Sequence, residues 1–289
     1  MKKQTLSMDY IQSLTPLAQS ELGQIFLTKE GEIVKLLSPF VLNIYYNIIN
    51  VNLEAKLLNK DKCFISEEVV KPNTIFYSKK GLAVGFKMRP AVGINYNEFT
   101  KKLTRQEDTN LIMFNNIHKN LEEIVRKNKD IVFPDICTID NIFIGQNGKI
   151  ELIDYDGMQI GKYKEIEMST TLDEETNNYY VPKYWQKEIF TKNLDIKSLI
   201  LLYFLKVFNV DLNQVGTISP FTNTPITLDE TFFIIGLRDY EIMDKVSKIF
   251  NDNVDNVYLE DTYDKLSKDY NLAIHPISPT SYIKRLVRK

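Results

Sequence analysis

Residues 135 to 157 constrain this chain more tightly than any other stretch. They read Asp135-Ile136-Cys137-Thr138-Ile139-Asp140-Asn141-Ile142-Phe143-Ile144, then a turn at Gln146-Asn147-Gly148, then Ile150-Glu151-Leu152-Ile153-Asp154-Tyr155-Asp156-Gly157. Short apolar runs bounded by turn residues predict the two strands of a β-hairpin. Asp140 and Asn141 precede the first strand, and the second ends in Asp-Tyr-Asp-Gly. A carboxamide and several carboxylates therefore collect at the ends of one hairpin. Oxygen donors gathered in this way suit Mg²⁺, which binds through one or two protein groups plus substrate phosphates. The competing explanation is turn chemistry, because Asn and Asp side chains bond their own backbone in turns. Two such residues at this spacing, each abutting a strand, favour ligation by Asn141 and Asp154.

Other constellations lie upstream. Lys35 sits inside an apolar run, Ile33-Val34-Lys35-Leu36-Leu37. An ammonium placed there is either turned outward on a half-exposed strand or buried with a partner, because an unpaired buried charge is costly. Glu54 follows nineteen residues later, in Asn52-Leu53-Glu54-Ala55-Lys56-Leu57-Leu58. Taken alone, Glu54 is a helix-surface residue within reach of Lys56 or Lys60.

The order and spacing of these segments resemble the protein-kinase family over roughly residues 17 to 205. The hairpin resembles the catalytic and metal-binding loops, with the thirteen residues from Asn141 to Asp154 joining two metal ligands. Lys35 resembles the strand lysine that holds the nucleotide phosphates, and Glu54 the helix glutamate that orients it. Tyr180-Val181-Pro182-Lys183 is similar to the motif closing the activation segment, and Leu194-Asp195-Ile196 to the buried helix anchoring the large lobe. Met88-Arg89-Pro90 is similar to the hinge, which puts Met88 at the nucleotide.

The chain also departs from the family pattern. Ala18-Gln19-Ser20-Glu21-Leu22-Gly23 stands where the family has Gly-x-Gly-x-x-Gly, with small residues at the three glycine positions and glycine only at Gly23. His-Arg-Asp is replaced by Phe133-Pro134-Asp135, which sets Asp135 six residues before Asn141 rather than five. Either Asp135 is the base in a slightly enlarged loop, or the chain binds nucleotide and transfers phosphate poorly. Asp156 replaces a glycine two positions after Asp154, and Lys183 replaces a glutamate.

The resemblance implies an α+β, two-lobed, protein-kinase-like fold. A small β-rich lobe would run to about residue 88, and a larger, mostly helical lobe would follow from residue 89. It implies ATP and Mg²⁺ as cofactors. The implied catalytic residues are Asp135, Lys35 and Glu54. Lys35, Ser20, Gly23, Met88, Asn141 and Asp154 would contact the nucleotide, and Asn141 and Asp154 would hold the metal. The expected activity is phosphoryl transfer, first as a bacterial or phage-type protein Ser/Thr kinase. A pseudokinase acting as a nucleotide-binding regulatory module and a small-molecule kinase are the alternatives. A protein substrate or regulatory protein is the expected partner. Residues 158 to 183, with Ser169, Thr170, Thr171 and Thr176, would be the activation-like segment.

Composition excludes some classes. With 289 residues, 44% of them hydrophobic, the chain can bury a large core. A net charge of −2 gives no bulk attraction to nucleic acid or anionic membrane. Two cysteines, Cys63 and Cys137, give neither a disulfide framework nor zinc spacing and read as reduced thiols in a cytoplasmic protein. The longest apolar run, residues 196 to 210, is interrupted by Lys197 and Lys206 and is too short to span a bilayer. Helical periodicity predicts helices over residues 40–59, 107–128 and 194–209, with shorter ones near 231–237, 240–250 and 263–269. Strands are expected over 20–37, as a hairpin, and near 73–78 and 82–88.

Overall fold

The computed structural model describes residues 1–20, 22–48, 52–102, 108–133, 136, 139–163, 171–173, 178–180, 192–208, 225, 227–235, 239–250 and 263. The protein is α+β, and its chain divides into two units. Residues 1–94, 128–135 and 141–191 form the first, and residues 95–127, 136–140 and 192–289 the second. The chain first passes from one unit to the other after residue 94 and returns to the first unit for residues 128–135 and 141–191, which hold the hairpin.

The first unit is built on a mixed six-stranded sheet. Its strands are β1 (Lys2–Thr5), β2 (Thr15–Ser20), β3 (Gly23–Leu27), β4 (Ile33–Leu37), β5 (Pro72–Tyr77) and β6 (Ala83–Met88), in the order β1-β5-β6-β4-β3-β2. β1 runs parallel to β5, and the other pairs are antiparallel. Strand alternation sends Val34 and Leu36 to one face and Lys35 and Leu37 to the other. Val34, Phe26, Phe76 and Leu14 form a buried cluster on the first face. Leu6 and Tyr10, the latter on α1 (Met8–Gln12), pack against that cluster, so the N-terminal segment covers this face. Lys35 shares the opposite face with Phe86, its direct partner across β4 and β6, and with Ile75 beyond it.

Between β4 and β5 the chain turns helical. Pro39 opens α2 (Pro39–Asn43), and the Ser38 hydroxyl caps it by accepting from the Val41 amide at 3.3 Å. The helix widens into a π-helical turn over Ile44–Ile48. A new helix, α3 (Leu53–Leu57), starts where the Asn52 carboxamide accepts from the Ala55 amide at 2.9 Å. The single helix expected over residues 40–59 is therefore two short ones, because the Asn52 cap restarts the helix.

β7 (Ile94–Asn95) marks the division between the units. The first unit resumes with β8 (Ile131–Val132), β9 (Ile142–Ile144), β10 (Ile150–Leu152) and β11 (Gln159–Ile160). β9 and β10 are the expected hairpin, in register Ile144↔Ile150 and Ile142↔Leu152. Gly148 closes its turn at φ 75°, a conformation glycine adopts without penalty. β11 pairs with β8. Residues 158–183, expected to be irregular, contain a short hairpin of β12 (Thr171–Asp173) and β13 (Asn178–Tyr180). Ser169, Thr170, Thr176, Pro182 and Lys183 lie outside the described residues.

The second unit is helical: α4 (Tyr96–Lys102), α5 (Asp108–Lys127), α6 (Lys192–Tyr203), α7 (Leu228–Ile235) and α8 (Tyr240–Phe250). α6 packs on α5 and α8. α5 buries Phe114, Ile117, Leu121, Ile124 and Val125, close to the face expected from its periodicity. A polar cluster is sealed into this core. The Tyr96 hydroxyl lies 3.1 Å from His118 Nε2, Tyr203 donates to Asn115 at 2.9 Å, and Tyr263 donates to Glu122 at 3.0 Å. Asp195, in the first turn of α6, is fully buried. Among the described residues no helix is long and apolar enough to cross a membrane.

Candidate functional site

Lys35 and the β9–β10 hairpin meet within the first unit. β4 carries the lysine, and the loop after β10 carries Asp154 and Asp156 on either side of Tyr155. The Lys35 ammonium is ion-paired with Asp154 Oδ1 and bonds Asp156 Oδ1 at 2.9 Å. All three side chains are largely buried, at 11%, 17% and 9% exposure, so water screens the pairs weakly. Burial alone would push the Lys35 ammonium down. Asp156 and Asp154 outweigh it, and the lysine is held charged, above its ordinary range. Burial pulls the Asp156 carboxyl above the usual carboxylate range, against the attraction of Lys35, and the neighbouring Asp154 adds to the rise.

The loop has an unusual backbone. Asp154 adopts the left-handed conformation at φ 68° and ψ 51° and opens a 3₁₀ turn over Tyr155–Gly157. The Gly157 amide returns to the Asp154 carbonyl at 2.9 Å. A non-glycine residue in this region persists only where its surroundings over-determine it, and such residues cluster at functional sites. Tyr155 is buried, and its hydroxyl is pushed above its ordinary range by burial.

Asn141 ends the 3₁₀ turn before β9, and its carbonyl accepts from the Ile153 amide at 3.0 Å. This bond joins Asn141 to Ile153, the residue before Asp154, at one end of the hairpin. Among the described residues no group of three or more His, Cys, Asp or Glu side chains is placed to hold a metal. Donors limited to a carboxamide and one or two carboxylates fit a hard cation that takes its remaining oxygens from phosphate and water.

Glu54 is not brought to Lys35. Its carboxylate bonds Lys3 Nζ at 2.7 Å, with Lys60 at 3.9 Å, on a partly exposed surface of α3. The Lys3 hydrogen bond holds the Glu54 carboxyl below its ordinary range. The expected Lys35–Glu54 pair is replaced by Lys35 with Asp154 and Asp156, because α3 turns Lys56 inward and Glu54 outward. Exposed ion pairs contribute little to stability. Glu54→Gln should therefore leave the melting temperature and any Mg-ATP response unchanged within error, as thermal denaturation with and without Mg-ATP can check.

Other expected residues are placed as follows. Gly23 faces Leu37 across β3 and β4, and a Cβ there would lie 2.2 Å from the Leu36 carbonyl oxygen. Close strand approach therefore accounts for this glycine without a ligand. Ser20 ends β2 opposite Gly23, and Met88 ends β6 with its side chain buried. Asp135 lies outside the described residues. A cleft of about 360 Å³ opens beside Gly23, with Leu6, Gln24, Leu36, Ser38 and Val84 among its walls. Leu37 also lines it, but Lys35, Asp154 and Asp156 do not, so this cleft is distinct from the lysine–carboxylate site.

Sequence reasoning missed two participants. Lys56 is fully buried against the Asp156 turn. Glu151, inside an apolar strand, accepts both arms of the Arg89 guanidinium at 2.7 and 3.0 Å and the Val92 amide at 2.8 Å. That bidentate pair fastens the segment after β6 to β10. Alternation along β10 gave no sign that Glu151 is buried or that Arg89, itself exposed, reaches in to pair with it. No protein-family model matches this chain, and no curated protein matches it.

Proposed function

We propose that this protein is an ATP- and Mg²⁺-dependent phosphotransferase of protein-kinase-like architecture, acting on a protein serine or threonine. One observation carries the reading. A buried lysine on the third strand of the β2–β3–β4 meander meets two loop carboxylates, one of them on a left-handed residue that ends a hairpin begun by Asn141. In the kinase family the corresponding lysine also lies on the third strand, and the loop aspartate and an asparagine hold the metal.

On this reading Lys35 exchanges part of its carboxylate pairing for nucleotide phosphate, and Asp154 and Asn141 supply oxygen donors to the cation. The cation, when bound, neutralises charge that develops on the transferred phosphoryl group. Asp156 keeps a counter-charge on Lys35 throughout. Asp135 accepts the proton of the attacking hydroxyl. Positioning and charge neutralisation account for most of the catalysis in such reactions.

One observation favours a second reading. Lys35 is already neutralised by two carboxylates, and Asp156 stands where the family pattern has glycine. A regulatory module that binds a partner protein, with weak or no transfer, would have the same contacts.

The test is direct. A ligand that binds only the native state stabilises it by about 2.7 kcal/mol at a hundredfold excess over its dissociation constant. Millimolar Mg-ATP should raise the melting temperature, and Asp154→Asn should remove the metal-dependent part. γ-Phosphate should appear on the protein itself, within residues 158–183, or on a generic protein substrate. No thermal shift would sink the nucleotide reading. A shift without phosphate on any acceptor would select the regulatory module.

A further inference from the structure

Lys56 is a second buried ammonium beside the site, and the mechanism above gives it no task. It lies on α3 at 0% exposure. Its Nζ donates to the backbone carbonyl of Asp156 at 2.5 Å and to the Tyr45 hydroxyl at 3.2 Å. Tyr45, in the π-helical turn after α2, donates its own proton to the same carbonyl at 2.9 Å. One carbonyl is thus held by two donors from the helical segment. Burying an ammonium is costly unless its protons are accepted and its charge is balanced. Here the two lysines, Lys35 and Lys56, balance the two carboxylates, Asp154 and Asp156.

The clamped carbonyl lies in the turn that follows left-handed Asp154. That conformation needs support, and the described contacts supply it from two sides. The Gly157 amide closes the turn on the Asp154 carbonyl, and Lys56 with Tyr45 fixes the carbonyl of Asp156.

We propose that Lys56 is the positioning residue through which α3 serves the site: it clamps the Asp156 carbonyl and balances the local charge, so that the turn presents Asp154 to the metal–nucleotide. This inference rests on the nucleotide reading above. It gives α3 a cation acting on the loop backbone, in place of the expected carboxylate acting on Lys35. Lys35 and Asp154 can then part from each other while Asp156 remains held by Lys56.

The experiment uses the full chain with Lys56→Met and Lys56→Arg and has two readouts. Without nucleotide, amide hydrogen exchange at Gly157 should speed up about tenfold in Lys56→Met, relative to amides in the paired strands β5 and β6. Lys56→Arg, which keeps a buried donor cation, should restore most of the protection. With nucleotide, Lys56→Met should lose the Mg²⁺-dependent increment of ATP affinity, again about tenfold, while metal-free affinity stays as in the parent. If Lys56→Met does not fold, Tyr45→Phe removes one donor from the same carbonyl and should shift both readouts in the same direction.

Unchanged exchange at Gly157 would overturn the proposal. So would faster exchange throughout the sheet, which marks a general structural role. A parent protein whose ATP affinity does not depend on Mg²⁺ would sink the nucleotide reading and this role with it. A parent that shows the increment, and a Lys56→Met variant that keeps it, would overturn the role of Lys56 alone.

Discussion

Lys35→Met should destabilise the protein by about 3–5 kcal/mol at neutral pH, the range found when one partner of a buried ion pair is removed. Lys35 stands between Asp154 and Asp156, and all three side chains are largely withdrawn from water. Methionine fills similar volume but offers no charge, so two carboxylates would face each other with Lys56 as the remaining nearby ammonium. Asp156→Asn alone should cost less, because Lys35 keeps Asp154. The double variant Lys35→Met/Asp156→Asn should recover much of the loss, since neighbouring charges couple non-additively. Urea denaturation of the four proteins gives the coupling energy. Additive losses would mean that the two side chains do not share a buried pair. The same set separates stability from chemistry. The double variant should regain stability and, on the proposed nucleotide reading, still fail to respond to Mg-ATP, because Lys35 is the ammonium assigned there to phosphate.

The hairpin and its lysine were legible in the sequence for physical reasons. Ile142–Ile144 and Ile150–Leu152 are short apolar runs around an Asn-Gly turn, and a pattern of that kind has few alternatives. Lys35 inside an apolar strand was readable as turned outward or as buried with a partner; it is buried, and Asp154 is one partner. The partner expected from helix α3 was wrong in a way that periodicity could not reveal. α3 has five residues, and Leu53, Ala55, Lys56 and Leu57 are all buried. A helix buried on more than one side has no single apolar stripe, so sequence spacing does not say which polar residue turns inward. The first nineteen residues gave no element either. Each side chain of β1 is exposed, and its place beside β5 is set by parallel backbone pairing. That pairing leaves no side-chain pattern to read. Asp156 stands out in the sequence only as a departure from glycine, which does not say what its carboxylate meets. In the structure its carboxylate pairs with Lys35, and its backbone carbonyl accepts from Tyr45 and Lys56.

The protein should lose stability as pH falls below about 6.5, through His118, with the contribution intact above that pH. His118 is fully buried on α5, and burial pushes its imidazole from 6.5 down to about 3. The native state therefore holds it neutral. The unfolded chain takes up a proton near 6.5. Between the two values the unfolded state binds more protons, so stability falls as pH falls. The slope approaches 1.4 kcal/mol per pH unit, and the full loss is on the order of 5 kcal/mol. The surroundings explain why the ring stays neutral. Tyr96 bonds Nε2 from α4, and Tyr203 from α6 meets the ring edge-on at 4.9 Å. Tyr263 lies 5.7 Å away, and Glu122, one turn along α5, accepts from Tyr263. Tyr96 and Tyr263 are themselves pushed far above the ordinary tyrosine range by burial, so the phenols remain uncharged. His118→Phe keeps a ring in the site and removes the titration. Urea denaturation followed by circular dichroism between pH 4.5 and 7.5 should give a steeper fall for the parent than for His118→Phe. By pH 4.5 the two curves should have converged by roughly 2.7 kcal/mol relative to pH 7.5. Parallel curves would mean that the native state also accepts the proton on His118, with the Glu122 carboxylate one helical turn along α5 as the counter-charge.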